Sequence, residues 1–303
     1  MKDERVLSSE LGVALSLLEN IATRPRDYYR YERRLLGKKR RLLRIPRNPL
    51  REILDAIRSK VLDPMPLPST IHGWRKRHST KTYSGEHLGQ GVIVNADIQD
   101  FFPSVGAGRV YGFWLSAGYS PGAAKLLTKL TTLDNQLPQG SPTSQSIGNQ
   151  ILRHMERRLS SLARKNGLRL GFYGDEVALS GRRRAERLEG LVLRIIKQEG
   201  FIANPDKIKV MPRDQRQELA GNVVNKKVGP GRDAYRELRA IVHNCCRYGW
   251  ETQNRERHPA FREHLRGRIA QVQHFNPRLG AQLLSEFELI DWTSRKDLSN
   301  AAV

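Results

Sequence analysis

The chain has 303 residues, room for one large domain or two to three subdomains around a packed core, so disorder is excluded as the default. Its 53 Lys and Arg against 31 Asp and Glu leave a formal charge of +22 and a pI near 10.5, which suits a polyanionic partner, nucleic acid before an acidic membrane surface. No stretch approaches the ~20 apolar residues of a membrane span and the first residues are polar, so no membrane association and a cytoplasmic location are expected. The two cysteines, Cys245 and Cys246, are adjacent, which rules out a disulfide framework or a four-cysteine zinc site and leaves them as packing or surface thiols.

Apolar spacing through Leu11, Val13, Leu15, Leu18 and Ile21 predicts one helix over 7–22, stopped by Pro25. Residues 24–51 are dense in Arg and Lys, interleaved with Tyr28, Tyr29, Tyr31, Leu42, Leu43 and Ile45. With Gly37-Lys38 as a turn, this reads as a basic hairpin that grips phosphates rather than as an ordinary solvated face. A helix over 48–62 and a Pro-rich linker over 63–68 follow. Residues 71–90 are polar and basic; their His72, His78 and His87 lack partners at ligand spacing and read as structural or RNA-contacting.

Val92 to Val94 form a buried-strand run with Asp97 at its far end and Phe101-Phe102 beyond. An Asp there is by itself more often a turn or cap residue than a functional one. Helices are predicted around 110–115 and over 123–133. Leu137-Pro138-Gln139-Gly140-Ser141-Pro142 then makes a stiff loop that opens onto a helix over 145–162, a place where backbone N–H groups can face an anion.

Leu168, Leu170 and Phe172, then Val177 and Leu179, alternate as two half-buried strands, with Gly174-Asp175 as turn chemistry between them. The tip of this hairpin carries Asp175 and Glu176, like charges held together that call for a cation between them. A helix over 185–199 leads to Gly200-Phe201 and Lys207, 219–225 reads as a strand and turn, and 233–292 as basic helices divided by Pro259 and Pro277.

In that order, Asp97, the Leu-Pro-Gln-Gly loop, the acidic hairpin, Lys207 and the short Gly-containing turn resemble the palm of reverse transcriptases. Within that family the chain is most similar to the bacterial retron type: 213–217 with Leu219-Ala220-Gly221 resembles its Val-Thr-Gly signature, and Lys227 to Arg232 with Tyr235 to Arg239 resembles the segment after it. The resemblance implies an α+β fold of the right-hand polymerase type. Fingers would occupy 1–90, a palm with an RNA-recognition-motif-like antiparallel sheet 91–225 (with a fingers insertion at about 105–140), and a C-terminal helical thumb that binds RNA 226–303.

The activity implied is RNA-directed DNA synthesis by two-metal nucleotidyl transfer from dNTPs, with two Mg²⁺ ions or Mn²⁺ in their place. Asp97, Asp175 and Glu176, with the Ile98 carbonyl, would hold the metals. Phe102 would exclude a 2′ hydroxyl, Gln139 and Gly140 would line the nucleotide pocket, and Arg41 with Lys39 would clamp the triphosphate. Lys207 would protonate the leaving pyrophosphate. RNA contacts are expected at Arg33, Arg34, Arg40, His87, Arg232, Arg236, Arg239 and Arg266.

As a retron enzyme the chain would copy its own structured non-coding RNA, primed from an RNA 2′ hydroxyl, into a short branched DNA used in phage defence. An effector or toxin protein and a higher-order oligomer would be its partners, beside the RNA and its DNA product. The alternatives are another bacterial defence polymerase of the abortive-infection type, a group II intron-like enzyme, or a catalytically impaired RNA-binding scaffold. Three positions depart from the family pattern. Tyr-Ala-Asp-Asp is Tyr173-Gly174-Asp175-Glu176 here, Asn-Ala-x-x-His survives only in His87, and Val-Thr-Gly only in Gly221. The added methylene of Glu176 would shift a metal by about 1 Å, a displacement that costs on the order of 100-fold in rate.

Overall fold

The computed structural model describes residues 1–36 and 39–292. Two short helices open the chain, α1 (Glu4–Leu11) and α2 (Leu15–Thr23), where the apolar spacing predicts one. The break is at Gly12, whose left-handed backbone (φ 72°) closes α1 by donating to the carbonyls of Ser8 and Ser9. The basic hairpin forms as expected, β1 (Tyr29–Leu36) antiparallel to β2 (Lys39–Pro46). Its turn at Gly37-Lys38 and the side chain of Lys39 lie outside what is described. Helix α3 (Leu50–Ala56) runs on as a wider π-type turn (Ile57–Leu62). Within the polar stretch stands an unforeseen helix, α4 (Thr80–Glu86), started by a capping box between Ser79 and Thr82.

Strand β3 (Val92–Asp97) is followed by a single helical turn α5 (Phe101–Ser104), then α6 (Ala107–Ser116), α7 (Pro121–Thr131) and the long α8 (Ser144–Lys165). The acidic hairpin is β4 (Arg169–Tyr173) and β5 (Glu176–Gly181); α9 (Glu189–Gln198) and β6 (Lys209–Pro212) follow, and β7 (Glu218–Leu219) pairs with β8 (Asn222–Val223). Helices α10 (Arg232–Tyr248), α11 (Phe261–Phe275) and α12 (Pro277–Glu288) end the described chain.

The central sheet is antiparallel, in the order β4-β5-β3-β6. One face, with Ala96, Leu170, Phe172, Val177 and Leu179, packs on apolar residues of α8 and α9, including Met155, Leu159, Val192 and Ile196. The alternation within β4 and β5 suggests that the other face is open to water, yet Ile93 and Ala178 are covered there by Tyr83 of α4 and by Leu219 and Val224. Burial on both faces brings Tyr83 against the acidic hairpin. Helices α10 to α12 enclose a separate core around Leu238, Val242, Leu265, Ile269, Leu283 and Phe287. Neither cysteine is in a disulfide; Cys245 belongs to this core, and burial pushes its thiol up to about 12. Among the described residues no helix is long and apolar enough to cross a membrane.

Candidate active site

Sheet register decides which side chains meet. Asp97, the last residue of β3, lies directly opposite Glu176, the first of β5, and Glu176 lies opposite Tyr173 of β4. The Ile98 N–H donates to the Asp175 carbonyl at 2.9 Å, which pins the hairpin tip to the end of β3. A cleft of about 920 Å³ opens there, lined by Asp97, Ile98, Asp175, Phe102, Gln139, Gly140 and Lys207, with Arg40, Arg41 and Arg44 on the β2 side. The β1–β2 hairpin is seated on the Gln-Gly loop: Arg44 N–H donates to the Gln139 carbonyl at 2.7 Å, and a Cβ on Gly140 would stand 3.0 Å from the Arg44 carbonyl.

The electrostatics are those of acids awaiting a counter-charge. The Asp97 side chain is only 12% exposed, and the Lys207 ammonium lies 2.7 Å from its Oδ2. Burial, and then the charge of Asp97, holds the Asp175 carboxyl above its ordinary range, with Lys207 and Arg41 pulling the other way. Hard oxygen donors with this need for positive charge fit a divalent cation that keeps phosphate and water in its shell. Lys207 already meets part of that need. Asp97 and Asp175 therefore suit Mg²⁺, with Arg40 and Arg41 placed for a polyphosphate.

Glu176 does not join them. Its carboxylate does not line the cleft; Oε1 accepts from the Tyr83 hydroxyl at 3.1 Å and from the Ala220 N–H at 3.2 Å. Burial raises its carboxyl, and these two donors oppose the rise. Among the described residues no three His, Cys, Asp or Glu side chains are arranged to hold a metal.

The predicted RNA contacts divide by exposure. Arg33, Arg34, Arg40, Arg232, Arg236, Arg239 and Arg266 are exposed, and Arg232, Arg236 and Arg239 share one face of α10. His87 corrects the expectation: it is 0% exposed, with Nδ1 2.7 Å from the Ser180 Oγ, and cannot touch RNA. It is a packing residue under the sheet, beside Tyr83.

Burial lowers His72 to about 4 and His87 to about 3, helped by the charges of His78 and Arg75 on the first and of His72 and Arg169 on the second. Both folded values lie below the ordinary 6.5, so the stability tied to the neutral rings is complete above about pH 6.5 and is lost as pH falls toward 4. The melting temperature should therefore drop between pH 7 and pH 5. In His87→Asn, whose amide can still reach Ser180, that slope should be shallower; an identical slope would remove His87 as a cause.

Residues missed from sequence are Trp74 and Tyr83. Trp74 stands in the cleft beside Phe102, ring centroids 5.2 Å apart, and covers the hairpin turn. Gly174 has φ 65°, and a Cβ there would lie 2.9 Å from Trp74 Cη2, so both backbone and neighbour account for glycine where the family pattern has alanine. A lone Trp in a basic stretch gives no periodic signal.

No family model matches the chain. It is 30% identical over 307 residues to the retron Mx65 reverse transcriptase of Myxococcus xanthus, covering 93% of this chain and 70% of that protein. It is 31% identical over 219 residues to the retron Ec86 reverse transcriptase of Escherichia coli, covering 71% and 68%. The retron Mx162 reverse transcriptase of Myxococcus xanthus is 29% identical over 291 residues, covering 84% of this chain and 59% of its own length. Among solved structures, a telomerase from Candida albicans in complex with a fragment of telomeric RNA gives a TM-score of 0.48 at 8% identity, over 89% of this chain and 61% of that one.

Proposed function

The chain belongs to the retron reverse transcriptases, which are RNA-directed DNA polymerases, and we propose that it copies its own structured non-coding RNA at a site built on Asp97 and Asp175. The observation that carries the site assignment is the buried Asp97 and half-buried Asp175 carboxylates facing a cleft whose other wall is arginine. When bound, two Mg²⁺ ions supply a lowered hydroxyl pKa for attack and charge neutralisation at the leaving phosphates. Asp97 and Asp175, with the Ile98 carbonyl, hold those ions; Arg41 orients the triphosphate, and Gln139 with the backbone at Gly140 shapes the nucleotide pocket. Lys207 hands its proton to the departing pyrophosphate oxygen. Residues 1–90, 91–225 and from 226 onward serve as fingers, palm and thumb, with the exposed arginines of α10 tracking RNA phosphates.

The finer reading follows the retron relatives: priming from an RNA 2′ hydroxyl, a short branched DNA product, and a role in phage defence with an effector protein. Sequencing nucleic acid that copurifies with the protein tests it. One abundant RNA joined to a short DNA supports the reading; heterogeneous RNA alone would sink it.

Phe102 supplies a separate check on the pocket. It leans on Trp74 and Phe101, so its ring has two aromatic supports at the position assigned to the sugar. Phe102→Ala should raise ribonucleotide incorporation relative to deoxynucleotide by about 10- to 100-fold, the discrimination a steric pocket provides. Unchanged selectivity in single-nucleotide extension would remove Phe102 from the gate.

A further inference from the structure

We propose that Glu176 is a positioning residue rather than a metal ligand: its carboxylate brackets the 219–222 turn to the catalytic hairpin. That turn joins β7 to β8 through two residues with positive φ, Ala220 (46°) and Gly221 (77°), the geometry of a two-residue type I′ hairpin. Glycine adopts it freely, whereas the Cβ of Ala220 disfavours it, so something must hold Ala220 there. The Ala220 N–H ends on Glu176 Oε1. Tyr83, fully buried, with its hydroxyl kept protonated by burial and by the neighbouring Glu176 charge, donates to the same oxygen. On the other flank, the Ser84 hydroxyl donates to the Leu219 carbonyl at 3.1 Å and accepts from Asn222 Nδ2 at 3.2 Å. The turn is thus clamped between α4 and the hairpin tip, and Glu176 is the hairpin's share of the clamp.

The added methylene thereby takes on the opposite meaning. An Asp at 176 ends one carbon earlier and falls short of both donors, so the longer side chain is what reaches the turn. A metal ligand would need the charge; a bracket needs the reach and an acceptor oxygen. Gln meets the second requirement and fails the first, while Asp does the opposite.

The bracket rests on the polymerase reading only for its kinetic consequence, and its test has an arm without catalysis. In amide hydrogen exchange, Ala220 of Glu176→Gln should exchange within about threefold of the parent, whereas in Glu176→Asp it should exchange at least ~10-fold faster; Tyr83→Phe should fall between. In primer extension, Glu176→Asp should raise KM for primer–template severalfold, with the half-saturating Mg²⁺ concentration unmoved in both Glu176 variants. Loss of a metal carboxylate instead shifts metal affinity by more than the roughly 10- to 100-fold that losing an outer-shell partner of a ligand costs. Such a shift in Glu176→Gln that is absent in Glu176→Asp, or equal Ala220 exchange in all variants, overturns the proposal. Exchange as expected in a protein that never extends a primer would sink the polymerase assignment and leave the bracket standing.

Discussion

Asp175→Asn should lower nucleotide addition by about 10³-fold or more and, at neutral pH, raise the melting temperature. The loss follows from the chemistry of phosphoryl transfer, in which metal-assisted charge stabilisation supplies several kcal/mol to the transition state and each ~1.4 kcal/mol is tenfold in rate. The gain follows from the electrostatics of the folded protein, where burial and Asp97 raise the proton affinity of Asp175. For an acid whose folded pKa lies above its unfolded one, ionisation penalises the fold, so the penalty is present above the ordinary carboxylate range and vanishes as pH falls below it. Asn removes the charge and with it the penalty. The stability gain should accordingly be present at pH 7 and shrink toward pH 4, as protonation of the parent's Asp175 relieves the penalty. Primer extension paired with thermal melts at both pH values checks this; full extension by the variant, or a melting temperature that falls at pH 7, contradicts it.

The acidic end of the sheet is legible in the sequence because its signals are local. Alternation at 168–172 and 177–179, Gly174-Asp175 between them and the apolar run before Asp97 give strands and a turn by sequence spacing alone, whereas the register that sets Asp97 opposite Glu176 joins strands far apart in the chain and emerges only in the fold. Long-range partners are invisible to spacing. Nothing near Glu176 says that its oxygen meets Tyr83, 93 residues earlier, or Ala220, 44 residues later. Three acids in one neighbourhood therefore read as one ligand set. His87 misleads for the related reason that a histidine in a polar stretch looks exposed until α4 is seen to pack beneath β5. The split between α1 and α2 lies in plain view: Gly12 interrupts an otherwise continuous apolar stripe, and its left-handed cap prevails over the periodicity.

Gly73→Ala should reduce nucleotide addition by about 100-fold although Gly73 does not line the cleft that Asp97 and Asp175 face. The loop around it runs along the outer edge of β4: Phe172 N–H donates to the Thr70 carbonyl at 2.7 Å, and His72 N–H donates to the Phe172 carbonyl at 2.8 Å. Asn149 of α8 donates to the Gly73 carbonyl at 2.8 Å, and Thr70 to Glu156 at 2.8 Å, so the loop is tied down on two sides. Gly73 thereby lies against the hairpin turn itself, where a Cβ would stand 2.2 Å from Gly174 N and 3.0 Å from the Tyr173 carbonyl carbon. Those are backbone atoms and cannot rotate away. Either the loop lifts, carrying Trp74 off Phe102, or the turn that presents Asp175 moves by about 1 Å, and misplacement of that size costs on the order of 100-fold in rate. Gly85→Ala is the matched control, since that glycine sits in α4 with open space around its Cβ position, where alanine favours a helix. If Gly73→Ala extends primers as the control does, with the same sugar selectivity, then the 70–74 loop does not hold the catalytic turn.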